Sequence, residues 1–227
     1  MRLGVVTGLA DEARCLRVFP AAVRPLVRCL GPGPGAAAAA ARDLLDLGCD
    51  ALVSFGVAGG LDPAMQPGRV IVADAVVTEQ GELLETDCAW RERLLECLGP
   101  AALVLVGRIG GSDRPLTTPD QKRAWGARYG ARAVDMESHA VAREARKTGA
   151  VVLVLRAIVD PVDRAIPPWL ATAVDAVGRP KPLRIARGIL RHPRDIGSLL
   201  QLGRGQAAAL AALRHVALDA GPLFAFA

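Results

Sequence analysis

The sequence contains no asparagine, and only three of its 28 cationic residues are lysines, at positions 122, 147 and 181. Aromatic residues are also scarce, with four phenylalanines, three tryptophans and one tyrosine. No zinc-finger spacing and no aromatic RNA-binding motif occurs. We therefore interpret the net charge of +5 as a compositional bias toward arginine, and we expect no nucleic-acid partner.

Long apolar runs and paired cysteines are lacking as well. Uninterrupted apolar runs such as 36–41 and 151–155 are far shorter than the roughly 18–20 residues that span a bilayer. The five cysteines stand singly with no CxxC spacing, which predicts reduced thiols. No signal-peptide pattern precedes the first strand-like stretch. We expect a cytoplasmic protein.

What the sequence does contain is a regular alternation of strand and helix patterns. Its 227 residues, of which 52% are hydrophobic, are enough to bury a full core. The alternation predicts a single α/β domain over residues 1–227 with helices packed on a sheet. Strands are predicted at 3–7, 27–30, 51–55, 69–77, 103–109 and 151–158, and helices at 10–16, 36–47, 138–148 and 206–218.

One stretch near the C-terminus differs in charge from the rest. Residues 163–204 contain eight Lys or Arg against three Asp, so this stretch carries +5 and the remainder of the chain sums to zero. It includes the sequence Pro-Pro-Trp at 167–169 and then alternates Leu or Ile with Arg. We predict that residues 167–203 form a basic and apolar insertion or lid on the single domain.

Two glycine clusters, at 31–35 and 56–60, follow predicted strands. Neither cluster is a GxGxxG motif, and the second leads into Leu-Asp-Pro rather than into a helix. The next strand also lacks a terminal acidic residue, so the pattern disfavours a dinucleotide site. Taken alone the clusters indicate tight turns; beside a ligand they would allow close approach of the backbone.

Three carboxylates stand near the ends of predicted elements: Glu12, Glu137 and Asp160. Charged side chains at the carboxyl ends of buried strands face the crevice where open α/β sheets bind ligands. Each carboxylate by itself is explained as a solvated loop residue. Together with the glycine clusters, the three predict a binding or catalytic site.

The motifs resemble those of the nucleoside phosphorylase and nucleosidase family, especially the methylthioadenosine/S-adenosylhomocysteine nucleosidases. The resemblance covers residues 1–163 and is carried by VVTGLADE at 5–12, GPGPG at 31–35, VAGGL at 57–61, PGRVIVAD at 67–74, VDME at 134–137 and RAIVD at 156–160. Within the family the sequence is most similar to the hopanoid-associated phosphorylases, which release adenine from adenosylhopane. The implied fold is a three-layer α/β/α domain around a mixed central β-sheet.

The resemblance also implies a reaction, cleavage of the N-glycosidic bond of an adenine nucleoside in hopanoid biosynthesis. Asp160 matches the family's general acid, which delivers a proton toward purine N7, and burial would raise its pKa as that role requires. Glu12 matches the residue that orients the attacking water. Glu137 matches the carboxylate that binds the ribose hydroxyls, with Met136 packing on the sugar.

Further substrate contacts are implied at Val57, Ala58, Gly59 and Leu116. The sequence departs from its relatives here: Val57 replaces a hydroxyl residue, Leu116 lies where an aromatic residue stacks on adenine, and Val159 replaces a serine before the acid. No metal and no cofactor is implied, apart from phosphate as a co-substrate if the reaction is phosphorolysis. A homo-oligomer is implied by the family.

The choice between water and phosphate stays open at this point. Phosphorolytic relatives of the hexameric type carry an arginine four residues after the first-loop glycine, where this chain has Glu12. This difference favours hydrolysis, whereas the most similar subgroup is named for phosphorolysis. Two other functions compete: a methylthioadenosine/S-adenosylhomocysteine nucleosidase, and a non-catalytic nucleoside-binding protein, which the intact Glu12, Glu137 and Asp160 disfavour.

The implied substrate carries a lipid-like 5′ group that resides in a bilayer, so a soluble enzyme must meet it at the membrane surface. We therefore predict peripheral contact of residues 167–203 with the inner face of the membrane. Apolar side chains and the cations from Arg179 to Arg194 would supply the contact. The competing interpretation is a basic lid or an oligomer contact. The apolar residues concerned are Trp169, Leu170, Leu183, Ile185, Ile189, Leu190, Ile196, Leu199 and Leu200.

Overall fold

The structure, a computed structural model, describes residues 2–99, 104–173, 175 and 181–226. Its strands are β1 Leu3–Thr7, β2 Leu26–Cys29, β3 Ala51–Gly60, β4 Val70–Thr78, β5 Leu83–Glu85, β6 Val104–Gly111, β7 Ala133–Asp135 and β8 Val151–Asp160. Its α-helices are α1 Ala10–Cys15, α2 Pro34–Asp46, α3 Cys88–Leu98, α4 Pro119–Tyr129, α5 Ser138–Thr148, α6 Pro182–Arg191 and α7 Ile196–Ala220.

The strands form one mixed sheet. β1 lies parallel to β2 and β3, and β8 lies between β3, to which it is parallel, and β4, to which it is antiparallel. β6 is parallel to both β4 and β7, and β7 returns to β3 in antiparallel pairing. Strands β3, β8, β4, β6 and β7 therefore pair in a closed circuit, and the predicted mixed central sheet is confirmed.

Helices cover both faces of this sheet. On one face α1, α3 and α7 pack over a cluster of buried residues that includes Phe55, Trp90 and Leu213. On the other face α2 and α5 pack over a second cluster, which includes Leu44 and Val141. The three-layer α/β/α fold is confirmed. Within the described ranges, none of the helices is both long and apolar enough to cross a membrane.

Of the two alternatives for the glycine cluster at 56–60, the tight turn is not observed, because β3 runs through all of these residues to Gly60. These residues pair with β8, from Gly56 opposite Arg156 to Gly59 opposite Asp160, with an irregularity in register between Ala58 and Gly59. A Cβ atom on Gly56 would lie 2.6 Å from the Glu12 carboxylate oxygen Oε1. Glycine is therefore needed for close approach of side chains within a strand, and not for chain reversal.

Other boundaries also differ from the predictions. The C-terminal helix begins at Ile196 rather than at 206, and the strand predicted from 103 begins at Val104, residue 103 lying outside the described residues. Helices α3, α4 and α6 and the three-residue strands β5 and β7 were not predicted. The described part of the interval 167–203 contains two short 3-10 helices, the whole of α6, and the first turns of α7. Arg179, one of its predicted cations, lies outside the described residues.

Candidate active site

A cavity of about 290 Å³ lies at the carboxyl ends of β3 and β8, where α1 and α5 begin. The sequence places the site residues far apart, yet the fold brings all of them to this cavity. Its lining includes each of the predicted site residues: Glu12, Val57, Ala58, Gly59, Leu116, Met136, Glu137 and Asp160. Their positions agree with one site, and their individual roles stay predictions.

Glu12 lies in the first turn of α1 and is 2% exposed. Its Oε2 accepts hydrogen bonds from the backbone N–H groups of Gly8, at 2.9 Å, and Leu9, at 2.8 Å. Its Oε1 accepts one from the N–H of Val57 on β3, at 2.8 Å. Burial raises the pKa of this carboxyl to about 7, although the positive charge of Arg156 opposes the increase.

Glu137 immediately precedes α5, and its carboxylate reaches back to the glycine turn before α2. Its Oε1 accepts a hydrogen bond from the N–H of Gly33 at 2.8 Å. A Cβ atom on Gly8 would lie 3.1 Å from the Glu137 carboxyl, so glycine there lets the carboxylate lie against the backbone. Burial raises the pKa of Glu137, against the effect of Arg156. Met136, beside it, lines the same cavity.

Arg156 connects these carboxylates, although its place in the sequence predicts no role for it. It is completely buried within β8. Its Nε lies 2.6 Å from Asp135 Oδ2, and its Nη2 lies 3.8 Å from Glu137 Oε2 and donates to Ser54 Oγ at 2.7 Å. A single charge inside an otherwise apolar strand was the signal that could have identified it.

Asp135 provides the connection between β7 and α5. Its Oδ1 accepts hydrogen bonds from the N–H groups of Glu137, at 3.0 Å, and Ser138, at 2.9 Å. Its Oδ2 pairs with Ser138 Oγ and with Arg156. These bonds fix the backbone turn that aims the side chain of Glu137 into the cavity.

Asp160 ends β8 and is 4% exposed. Its Oδ2 accepts a hydrogen bond from Nζ of Lys122, a residue of α4 that is 1% exposed. Burial raises the pKa of Asp160, and the ammonium of Lys122 opposes that effect. Lys122 lies in none of the sequence motifs, and it is 38 positions from Asp160 along the chain.

Apolar side chains form most of the remaining cavity wall, to which Arg114, Asp135 and Gln206 also contribute. Leu116 packs against the apolar cluster of Leu61, Val77, Ala131 and Val134. That it replaces an aromatic ring stacking on adenine stays a prediction. Four further segments contribute apolar residues to the wall: Leu9, Pro32, Ile166 and Leu202. Among the described residues, no group of three or more His, Cys, Asp or Glu is arranged to hold a metal ion.

The fold and this cavity define an enzyme of the nucleosidase and nucleoside phosphorylase class, which cleaves N-glycosidic bonds. The chain belongs to the Phosphorylase superfamily, whose sequence profile matches residues 13–191. The family resemblance and the enzyme class predicted from the motifs are thereby confirmed.

One sequence relative agrees with the family, and two solved structures agree with the fold. A futalosine hydrolase of Streptomyces coelicolor is 34% identical over 157 residues, which are 59% of this chain and 66% of that protein. The structure of a Helicobacter pylori futalosine hydrolase has a TM-score of 0.72 at 15% identity, covering 96% of both chains. A Neisseria meningitidis 5′-methylthioadenosine/S-adenosylhomocysteine nucleosidase in complex with methylthio-immucillin-A has a TM-score of 0.73 at 16% identity, covering 96% of this chain and 97% of its own.

Proposed function

We propose that this protein hydrolyses the N-glycosidic bond of an adenine nucleoside with an apolar 5′ substituent, and that adenosylhopane is its substrate. The observation that carries the proposal is the convergence of three buried carboxyls, Glu12, Glu137 and Asp160, on one largely apolar cavity. Cleavage passes through a cationic sugar and a departing purine, so it needs an acid for the base, an anion near the sugar and an activated nucleophile. The three carboxyls match these needs without a cofactor.

The hydrogen bonding of Glu12 supports water as the nucleophile. The backbone N–H groups of Gly8, Leu9 and Val57 all donate to its carboxylate, so they are not available to phosphate oxygens. Because Oε1 accepts only one of these bonds, it retains a lone pair that can accept a proton from water. A base with a pKa of about 7 is suited to this step near neutral pH.

Asp160 supplies the proton for the departing purine. Its raised pKa favours the protonated carboxyl, from which the proton passes to purine N7 while the C1′–N9 bond breaks. The electron pair of that bond stays on the purine, which leaves as neutral adenine. Water then bonds to C1′ and loses its proton to Glu12, while Glu137 binds the ribose hydroxyls. These interactions strengthen as positive charge develops on the sugar.

The position of the segment 167–203 supports an apolar 5′ substituent that comes from a membrane. Leu202 from this segment lines the cavity together with Ile166. On α6 the side chains of Leu183 and Leu190 are 86% and 83% exposed. They lie seven residues apart and hence on one side of the helix. Such a surface, beside arginines, is suited to the interface of an anionic bilayer.

Packing within the segment holds α6 in this orientation. Gly188 lies against the ring of Trp169, where a Cβ atom would come within 2.7 Å of Cη2, and Trp169 Nε1 donates to Asp195 Oδ2 at 2.9 Å. The helix therefore turns its glycine inward, and Leu183 and Leu190 outward.

A substrate panel tests the proposal. Release of the free base is measured for adenosine, methylthioadenosine, a 5′-alkyl adenosine, adenosylhopane and futalosine. We expect adenine release with kcat/KM increasing from adenosine through the alkyl nucleoside to adenosylhopane. A preference for methylthioadenosine would indicate the nucleosidase alternative, and a preference for futalosine would indicate the activity named for the Streptomyces coelicolor relative. Binding of nucleosides without release of any base would overturn the proposal in favour of a binding protein.

A further inference from the structure

We propose that Lys122 is a positioning residue for the general acid: it holds one oxygen of Asp160 and leaves the other oxygen to carry the proton toward the purine. This inference rests on the function proposed above and deepens it. It concerns a residue of α4 that does not line the cavity, whereas Asp160 does.

The contacts of Lys122 use all of its hydrogen-bonding capacity. Its Nζ donates to Asp160 Oδ2, to the backbone carbonyl of Pro161 at 3.0 Å, and to the carbonyl of Arg164 at 2.8 Å. An ammonium group has three protons and no acceptor, so three oxygens match the charged form. The side chain is 1% exposed, and water does not compete for these bonds.

This arrangement makes the two oxygens of Asp160 unequal. Oδ2 is engaged by Lys122, so the acidic proton belongs on Oδ1. Without the lysine the carboxyl could rotate and present either oxygen in either protonation state. Fixing the carboxyl therefore orients the proton that the purine must receive, and orientation is a large part of what general acid catalysis requires.

The charge of Lys122 has a second effect on the acid. Burial favours the protonated carboxyl, which keeps the proton available but also makes it harder to release. A neighbouring ammonium favours the carboxylate that remains after transfer. The charged groups that act on Asp160 are Lys122 from α4 and Arg164 from the loop after β8. The other charged side chains of the cavity are Glu12, Glu137, Asp135 and Arg114, with Arg156 buried behind them.

The same contacts connect Asp160 to the entrance of the segment 167–203. The carbonyls of Pro161 and Arg164 belong to the loop after β8, and Ile166 at its end donates its N–H to the carbonyl of Thr117 at 2.8 Å. Lys122 therefore orders the acid and the adjoining wall of the cavity together.

The test compares Lys122→Met with Asp160→Asn and with Arg123→Met, which removes an exposed cation from the next position of the same helix. Two substrates are used: a 5′-alkyl adenosine, and a p-nitrophenyl riboside with the same 5′ group, whose leaving group departs without protonation. We expect Lys122→Met to lose roughly 10–100-fold in kcat on the adenosine, a part of what a general acid supplies. It should retain its rate on the nitrophenyl riboside, and Arg123→Met should resemble wild type on both.

The pH dependence of kcat gives a second test, because a purely structural role of Lys122 would leave it unchanged. Activity falls as pH rises through the pKa of the acid, and removing the cation raises that pKa further. The pH above which kcat declines should therefore be higher for Lys122→Met than for wild type. Lys122→Arg, which keeps the charge, should keep this pH near its wild-type value. Thermal unfolding checks folding, and if Lys122→Met does not fold, Lys122→Gln removes the charge while retaining donors to the carbonyls.

Equal losses on both substrates with an unchanged pH dependence of kcat would overturn the role of Lys122. If Asp160→Asn is inactive on the adenosine while Lys122→Met matches wild type, only this inference fails. If Asp160→Asn itself matches wild type, the assignment of the acid fails, and with it the proposed mechanism.

Discussion

At the scale of single residues, burial is the main cause of the chemistry of the cavity. It raises the pKa values of Glu12, Glu137 and Asp160, and in each case a buried cation opposes the effect. Arg156 is placed against the first two and Lys122 against the third. The two cations thus divide the carboxyls into a pair beside Arg156, Glu12 and Glu137, and a separate carboxyl, Asp160, beside Lys122.

Asp160→Asn is expected to lower kcat for adenine release by about 10²–10⁴-fold, because an amide of the same shape cannot act as the acid. Rates are measured on a 5′-alkyl adenosine after thermal unfolding has established that the variant folds. The substitution also leaves the ammonium of Lys122 without a carboxylate, which destabilises a buried site. The double variant Asp160→Asn/Lys122→Met removes that charge and should be equally slow. A single variant with more than half the wild-type rate would contradict the assignment.

The raised pKa of Glu12 is expected to make the stability of the fold depend on pH. Its pKa is raised from the usual 4.5 to about 7 in the folded protein, so the folded state holds its proton more tightly than the unfolded state does. The contribution of Glu12 to the free energy of unfolding is therefore greatest below pH 4.5, and it is lost as the pH rises to about 7. The shift corresponds to about 3 kcal/mol.

The measurement is the free energy of unfolding of wild type and Glu12→Gln between pH 4.5 and 8. We expect the difference between the two proteins to change over this range, with wild type losing stability relative to the variant as pH rises. The catalytic counterpart is a loss of activity as pH falls through about 7, because the base must be ionised. Parallel stability curves would show that burial does not raise the pKa of Glu12.

At the scale of elements, the sequence predicts best where a local signal is strong. Helix α5 has the predicted bounds, Ser138–Thr148, because Gly149 adopts a left-handed conformation with φ of 75° and ends it. The buried strands β1 and β8 were found from their β-branched runs. Helix α4 was missed although Thr118 caps it with a hydrogen bond to the N–H of Gln121, because its apolar periodicity is weak.

Part of the candidate site could also be predicted, because some of its residues lie within strong local sequence signals. Glu12, Glu137 and Asp160 lie within motifs that can be read along the chain. The contacts of the opposing cations cannot be read in this way. Lys122 lies outside the motifs, and its ion pair with Asp160 spans 38 positions. Arg156 begins the motif at 156–160 but meets Asp135 only through the pairing of β8 with the rest of the sheet. Contacts between distant segments follow from the fold, so no local pattern contains them.

The proposed membrane contact is tested with variants of α6 and of the residues that follow it. Co-sedimentation with phosphatidylglycerol vesicles is compared with neutral phosphatidylcholine vesicles for wild type, for Leu183→Ser/Leu190→Ser, and for Arg187→Gln/Arg191→Gln/Arg194→Gln. We expect wild type to bind the anionic vesicles reversibly and both variants to bind less. The leucine variant loses apolar contact with the bilayer, and the arginine variant loses ~1 kcal/mol of attraction for each basic residue near the surface. A matched control, Arg42→Gln, changes an exposed cation of α2, outside the segment. Equal binding by all four proteins, or by none, would contradict the membrane contact and favour a lid or an oligomer contact.

At the scale of the whole molecule, the sheet and its helices bring together, from three regions of the chain, the three carboxyls that we propose as acid, base and ribose ligand. Glu12 comes from α1, Glu137 from the start of α5 and Asp160 from the end of β8. The interval 167–203 adds Leu202 to the wall of the cavity and exposes Leu183 and Leu190 nearby in sequence. In the function that we propose, catalysis and access to a lipid-borne substrate would therefore use adjoining parts of one fold.

The central claim is that this cavity cleaves an adenine nucleoside with water. It is tested most directly by mass spectrometry of the products formed from a 5′-alkyl adenosine in ¹⁸O-labelled water, with and without phosphate, and with Glu12→Gln as the comparison. We predict that wild type releases adenine together with a free sugar labelled at C1, at the same rate in both buffers, and that Glu12→Gln is much slower. Adenine release only with phosphate, yielding a sugar 1-phosphate without the label, would contradict the account.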